Sequence, residues 1–311
     1  MVQRDRLNFT AVAAVTTQHK EAAMDYDPEP DPRGCAVPSA AAGAQASGGS
    51  VDRNDGEQEK WTYERVLSLR SWTPRQLSFR TTRSPSFRFT PGHYARLGLT
   101  GPDGNVVWRP YSVVSAAYDE YLEFLAILVP EGAFSTGLEK LRVGDALQVD
   151  KASYGFLTVD HLAPGRDLWL IASGTGLGPF LSILRDPAVW QRFERLVVVH
   201  SVRQAAELAY RDEIAALPQH PLLAEGRAEL VYLPVVTREP GATVLTARIP
   251  QLASDGRLEA AAGVPLDVAT ARVMVCGNPE MAQAMRQLLR ERGFATGRRG
   301  ILGQMAFENY W

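Results

Sequence analysis

The sequence predicts two domains in series, an antiparallel β-barrel and then an α/β domain built on a parallel sheet. Three observations carry this. Between residues 61 and 150, short runs of alternating apolar and polar side chains are separated by turn signals at Thr90-Pro91-Gly92, Gly101-Pro102-Asp103-Gly104 and Val143-Gly144-Asp145, a spacing typical of antiparallel barrels. After Pro164-Gly165, continuous apolar runs of strand length alternate with helical stretches, which implies a parallel sheet covered on both faces. A chain of 311 residues is long enough for each domain to bury its own core.

Taken in order, residues 1–59 read as a disordered extension. They are rich in Ala, Gly, Ser, Pro and acids, with Pro28, Pro30 and Pro32 in one stretch and Ser47-Gly48-Gly49-Ser50 in another. Such a segment cannot bury enough apolar surface to offset its ordering entropy. Initiation at Met24 or a later codon would leave some or all of it out of the native product. The texture changes at Trp61, and residues 60–163 form the expected barrel domain. Strands are expected at Leu77-Ser78-Phe79, Phe87-Arg88-Phe89, 94–99, 111–114, 121–129 and 146–149, with one short helix over 135–141. Residues 164–311 form the expected second domain. Its strands are 168–172, 196–200, 230–236 and 272–275. Helices are expected at 204–217 and at 279–292, where Met281, Met285, Leu288 and Leu289 recur at helical spacing.

Composition excludes several classes. Hydrophobic residues at 45% and charged residues at 22% are ordinary for soluble globular protein. No apolar run approaches the roughly 18 residues of a membrane span, and the first residues, with Arg4, Asp5 and Arg6, lack the pattern of a secretory signal. Two cysteines, Cys35 and Cys276, supply neither a disulfide framework nor an iron–sulfur ligand set. A cytoplasmic, monomeric protein is expected, without metal, nucleic-acid partner or membrane contact. The net charge of −2 hides an asymmetry. Residues 61–112 hold eight arginines against only Glu64 and Asp103, and such a patch can steer an acidic partner.

Two motifs carry chemistry. Gly174-Thr175-Gly176-Leu177-Gly178-Pro179 lies between a buried strand and a helix. Glycines there let backbone N–H groups approach a pyrophosphate, and the helix N-terminus favours its charge. The loop matches G-x-G without the full dinucleotide fingerprint, and a plain tight connection would look similar. Arg109-Pro110-Tyr111-Ser112-Val113-Val114-Ser115 lies in the barrel. Its arginine can pair with a flavin diphosphate, and Tyr111, on the same strand face, can stack on the isoalloxazine. Ser112 points the other way, toward the reactive edge of such a ring.

Together with Gly132-Ala133-Phe134-Ser135-Thr136 and Cys276-Gly277-Asn278-Pro279-Glu280-Met281, these motifs occur in the order of the ferredoxin–NADP⁺ reductase superfamily, which residues 61–311 resemble. The ending Glu308-Asn309-Tyr310-Trp311 resembles the bacterial ferredoxin/flavodoxin–NADP⁺ reductases. The resemblance implies a barrel that binds FAD and a Rossmann-like domain that binds NADP(H), exchanging electrons with ferredoxin or flavodoxin. It assigns FAD to Arg109, Tyr111, Ser112, Val113, Phe134, Ser135, Thr136, Thr175 and a terminal stacking Trp311. It assigns NADP to Gly174, Thr175, Gly176, Arg203, Arg238, Arg248, Cys276 and Gly277, the three arginines receiving phosphate. Ser112, Cys276 and Glu308 would border the site of hydride transfer, a reaction that belongs to the cofactors themselves. An alternative within enzymes is an NAD(P)H:flavin or oxygenase-type reductase component. The matched arginines and the Tyr-Trp ending count against it. A non-catalytic nucleotide-binding sensor is the alternative from another class, and the intact Arg109-x-Tyr111-Ser112 strand counts against that.

Overall fold

A computed structural model describes residues 59–309 except Pro102 and Arg299. The expected disorder of the N-terminal extension and the stacking role of Trp311 concern residues outside the described ones.

The first sheet contains β1 (Trp61–Thr73), β2 (Gln76–Thr82), β3 (Tyr94–Thr100), β4 (Val106–Ser112), β5 (Tyr121–Ile127) and β6 (Ala146–Tyr154). Their order is β4-β3-β6-β1-β2-β5, and every pairing is antiparallel. A bridge from Val113 to Phe124 joins the two outer strands, so the sheet closes on itself around Val66, Phe79, Leu97, Phe124, Leu147 and Val149. Closure matters because it removes the exposed sheet edges. The helix α1 (Ala133–Lys140) covers the barrel beside β3 and β4.

Two expectations for this region change. The longest strand, β1, has no expected counterpart. Only Glu64 and Val66 are buried along it, and register shifts between Val66 and Ser68 and between Ser71 and Thr73 break its period, so no simple alternation survives. Phe87-Arg88-Phe89 is not a strand. Phe87 is buried, but its N–H donates to Ser84 O at 2.9 Å and its carbonyl accepts from Arg83 Nη2 at 3.0 Å. A turn and a guanidinium use the groups that a ladder would need.

The second sheet is parallel, with β7 (Asp167–Ser173), β8 (Arg195–Val202), β9 (Glu229–Val236), β10 (Ala271–Gly277) and β11 (Met305–Asn309) in the order β11-β10-β7-β8-β9. Helices α2 (Gly178–Leu184), α3 (Pro187–Arg192), α4 (Arg211–Ala216), α5 (Ile249–Ser254), α6 (Arg257–Ala262) and α7 (Pro279–Glu291) connect these strands. Alternate residues of β7 and β8 face two separate cores. Leu168, Leu170, Leu196 and Val198 enter one, while Trp169, Ile171, Val197 and Val199 enter the other, as a sheet buried on both faces requires. Asn278 caps α7 by accepting from Met281 N at 3.0 Å, and Pro279 opens the helix.

The helix expected over 204–217 is broken. A 3₁₀ turn at Ala205–Glu207 precedes Tyr210, whose φ is 60°, and α4 begins only at Arg211. A left-handed tyrosine needs an outside restraint, and its phenol donates to Glu123 in the barrel at 3.0 Å.

Candidate cofactor site

The order of the parallel sheet reverses between β7 and β10, and in such sheets the crevice beyond the strand ends at this reversal receives ligands. Ser173 and Gly277 end the two strands there. The Ser173 hydroxyl accepts from Asn278 N at 2.8 Å, latching one strand end to the other. Gly277 has φ 132°, and a β-carbon on it would lie 2.3 Å from Ser173 Oγ, so only glycine fits.

The glycine loop occupies this crevice. A β-carbon at Gly176 would come within 2.4 Å of the Cys276 carbonyl oxygen, whereas one at Gly174, with φ 54°, would meet nothing within 4 Å. The loop therefore packs its back on β10 and leaves its outer side open, as a pyrophosphate cradle requires. Thr175 lies half-buried between these glycines. His200, wholly buried near the C-terminal end of β8, places Nε2 3.2 Å from Gly174 O and Nδ1 3.4 Å from the Tyr232 hydroxyl. A carbonyl only accepts, so Nε2 carries the proton and Tyr232 donates to Nδ1. Burial pushes the His200 pKa down to about 4, the Gly174 carbonyl opposing this, so the ring is neutral at pH 7. His200 was legible only as a strand end; its bond to the loop needs the parallel register of β7 and β8.

The barrel strand β4 faces the same region. Arg109 is exposed and donates from Nη1 to Trp108 O at 2.8 Å. Two residues on, Tyr111 is half-buried with its ring centroid 5.2 Å from that of Phe134 on α1. Burial pushes the Tyr111 phenol up to about 12, with Arg109 pulling the other way. Gly132 caps α1 without a side-chain bond, and Ser135 Oγ accepts from Val129 N at 2.9 Å. Thr136 Oγ1 donates to Gly132 O at 3.1 Å. A cation, an aromatic face and an uncapped helix start are thus gathered on one side of the barrel, a donor set that fits a flavin diphosphate. Val113 lies wholly in the barrel core, and its N–H donates to His93 O at 3.0 Å.

The two halves meet at Ser112. A β-carbon at Gly178, the first residue of α2, would lie 3.5 Å from Ser112 Cβ. Cys276 is wholly buried, opposite Ala172 on one side and Glu308 on the other. Glu308 also lines a cleft of about 510 Å³ with His93, Tyr94, Tyr154 and Phe156, and Tyr94 pairs with Ser112 across β3 and β4. Of the three, Glu308 lines this cleft, while Ser112 and Cys276 lie one strand away, paired in register with Tyr94 and Glu308. The cleft's aromatic wall, including Phe156 at 80% exposure, carried no signal in the sequence beyond Tyr-Gly-Phe itself.

Arg203 and Arg238 follow the ends of adjacent strands, with Arg238 N donating to Arg203 O at 2.8 Å and both side chains exposed. Arg248 is exposed at the cap of α5, and no hydrogen bond joins it to the other two among the described residues. Among the same residues, no group of three His, Cys, Asp or Glu is placed to hold a metal, and no helix is long and apolar enough to cross a membrane.

Known proteins match this architecture domain by domain. The oxidoreductase FAD-binding domain family matches residues 68–157, and the oxidoreductase NAD-binding domain family matches residues 170–287. A ferredoxin–NADP reductase A of Sorangium cellulosum is 42% identical over 255 residues, which cover 80% of this chain and 89% of that protein. The chain belongs to the ferredoxin–NADP reductase family. As a member it is an oxidoreductase with an FAD-binding and an NADP-binding half. A flavodoxin/ferredoxin–NADP reductase of Escherichia coli is 38% identical over 223 residues, covering 72% of this chain and 87% of its own. The crystal structure of a ferredoxin NADP⁺ reductase from Neisseria gonorrhoeae with bound FAD and NADP is 36% identical. It superposes with a TM-score of 0.75 over 82% of this chain and 100% of that one.

Proposed function

We propose that the protein transfers electrons between NADP(H) and ferredoxin or flavodoxin through FAD. The observation that carries this is the approach of the glycine-loop helix to the barrel strand at Gly178 and Ser112, where a nicotinamide and a flavin would meet. Bound FAD supplies acceptance of a hydride and release of electrons singly, and the chain supplies binding and orientation. Arg109 and the start of α1, at Phe134, Ser135 and Thr136, hold the flavin diphosphate, and Tyr111 stacks on the ring. Gly174, Thr175 and Gly176 receive the NADP pyrophosphate, while Arg203, Arg238 and Arg248 receive the 2′-phosphate. Ser112, Cys276 and Glu308 border the reacting edge and exclude water from it.

The arginine-rich first half of the barrel offers an acidic carrier a complementary surface, and with its cysteine usage the protein fits the cytoplasm. Purified protein carrying one FAD, identified by mass spectrometry of the released flavin, and reducing a carrier with NADPH in preference to NADH supports this reading. Protein that binds only FMN, or oxidises NADPH without passing electrons to either carrier, refutes it.

A further inference from the structure

Two anchors join α2, the helix after the glycine loop, to the segment that follows Ser112. Ser182, wholly buried on α2, donates its hydroxyl to Ser115 O at 2.8 Å. Arg185, which ends the same helix, donates to Val114 O at 2.9 Å and to Glu123 Oε2 at 3.0 Å. Glu123 belongs to β5 and is itself locked to that segment. Its carbonyl accepts from Val114 N at 2.8 Å, and its N–H donates to Ser115 Oγ at 3.1 Å. The other carboxylate oxygen of Glu123 accepts from Tyr210 at 3.0 Å. An outer layer repeats the link. Trp72 of β1 lies 4.8 Å from the Tyr210 ring, and Arg70, 3.5 Å above Trp72, pairs with Glu213.

The geometry has a consequence for the reaction. The first residue of α2 faces Ser112, whose Cβ lies 3.5 Å from where a β-carbon on Gly178 would stand, and the last turn of the helix grips Val114 and Ser115. One short helix therefore spans from the point where the two cofactors would meet to a buried, charge-assisted clamp. Packed domains move relative to one another unless the interface is strongly held, and hydride transfer is sensitive to displacements on the order of 1 Å. We propose that Ser182, Arg185 and Glu123 are positioning residues that hold the nucleotide half in register with the flavin strand for hydride transfer. This rests on the function proposed above. None of the three needs to touch a cofactor. They act through the main chain of Val114 and Ser115.

The test follows anaerobic reduction of bound FAD by saturating NADPH, using the intact flavoprotein. The variants are Ser182→Ala, Arg185→Lys and a double variant, Arg185→Met with Glu123→Gln, which removes both charges of the buried pair and leaves without its carboxylate only Arg80, whose side chain is 43% exposed to water. The double variant is expected to keep its FAD and to bind NADP⁺ within about threefold of wild type, while its reduction rate falls by about tenfold or more. Its deuterium isotope effect on the transferred hydride should change, since the transfer geometry has changed. Arg185→Lys, which retains a cationic donor, should recover most of the rate, and Ser182→Ala should show a smaller loss of the same kind. Reduction within twofold of wild type in the double variant overturns the proposal. So does a loss that merely follows FAD content or NADP⁺ affinity, because that marks a structural role. If the double variant does not fold, Ser182→Ala decides by the same criteria. Wild-type flavoprotein that NADPH does not reduce overturns the functional reading first, and this inference with it.

Discussion

Arg203 and Arg238 end neighbouring strands with their main chains bonded and both guanidinium groups exposed. Neither forms an ion pair with a carboxylate among the described residues, whereas Glu207, the nearest acid in sequence to Arg203, spends one oxygen on the backbone N–H groups of Arg203 and Gln204. Replacing either arginine with alanine should raise the KM for NADPH about tenfold or more, the equivalent of a charged hydrogen bond of roughly 1.5–3 kcal/mol. The KM for NADH should stay nearly constant, and equal losses with both would assign the arginines to structure. His200 makes a second prediction. Its folded pKa of about 4 lies below the ordinary 6.5, so the unfolded chain binds more protons between these values. Its contribution is complete above pH 6.5 and is lost as pH falls toward 4, on the order of 3 kcal/mol in all. Denaturant unfolding of wild type and His200→Gln should therefore show a stability gap that narrows between pH 7 and pH 4.5. A gap that stays constant rejects a buried, neutral imidazole.

At the scale of elements, the glycine loop separates two kinds of glycine that look alike in sequence. Gly176 faces backbone, since a β-carbon would lie 2.4 Å from Cys276 O and 2.8 Å from Gly277 Cα. Gly174 faces open space and needs only its left-handed φ of 54°. Gly176→Ala must displace β10 or the loop, and overpacking of this kind costs about 1–3 kcal/mol or more. Gly174→Ala costs only about 1 kcal/mol of backbone strain. Thermal unfolding should rank the two accordingly, with Gly176→Ala also weakening NADP⁺ binding. Similar melting temperatures for both variants would show that the loop does not pack as described. The same comparison of local signal and surroundings explains the elements read incorrectly. β1 lost its alternation to two register shifts, and the helix expected over 204–217 was divided where Tyr210 turned to reach Glu123.

For the whole molecule, the relevant property is the distribution of charge over the barrel. Carrier reduction should slow as salt rises while reduction of a neutral quinone should not, because screening weakens only the docking of an acidic protein. The arginines of this region are not equivalent. Arg83 donates to the carbonyls of Phe87, Ala117 and Asp119, and Arg70 and Arg80 pair with Glu213 and Glu123. Charge reversal at Arg83 should therefore damage the barrel and slow reduction of both acceptors. Reversal at the exposed Arg75 should raise the KM for the carrier alone. Equal effects of Arg75 and Arg83 on the two acceptors would remove the docking role of the patch.

Much of this was readable locally. Strand runs, the Thr90-Pro91-Gly92 turn, the glycine loop and the Arg109-x-Tyr111-Ser112 strand are patterns within a few residues, where side-chain period and backbone freedom act without help from distant chain. Their order named the two domains and most candidate site residues. Three things required the folded chain. The bridge from Val113 to Phe124 closes the barrel, the parallel register brings His200 to the carbonyl of Gly174, and Glu123 collects Arg185 and Tyr210 from the other half of the protein. Each joins groups separated by 11 to 87 positions in the chain. A buried carboxylate or imidazole is stable only with its partners in place, and those partners are chosen by packing, which no local period encodes.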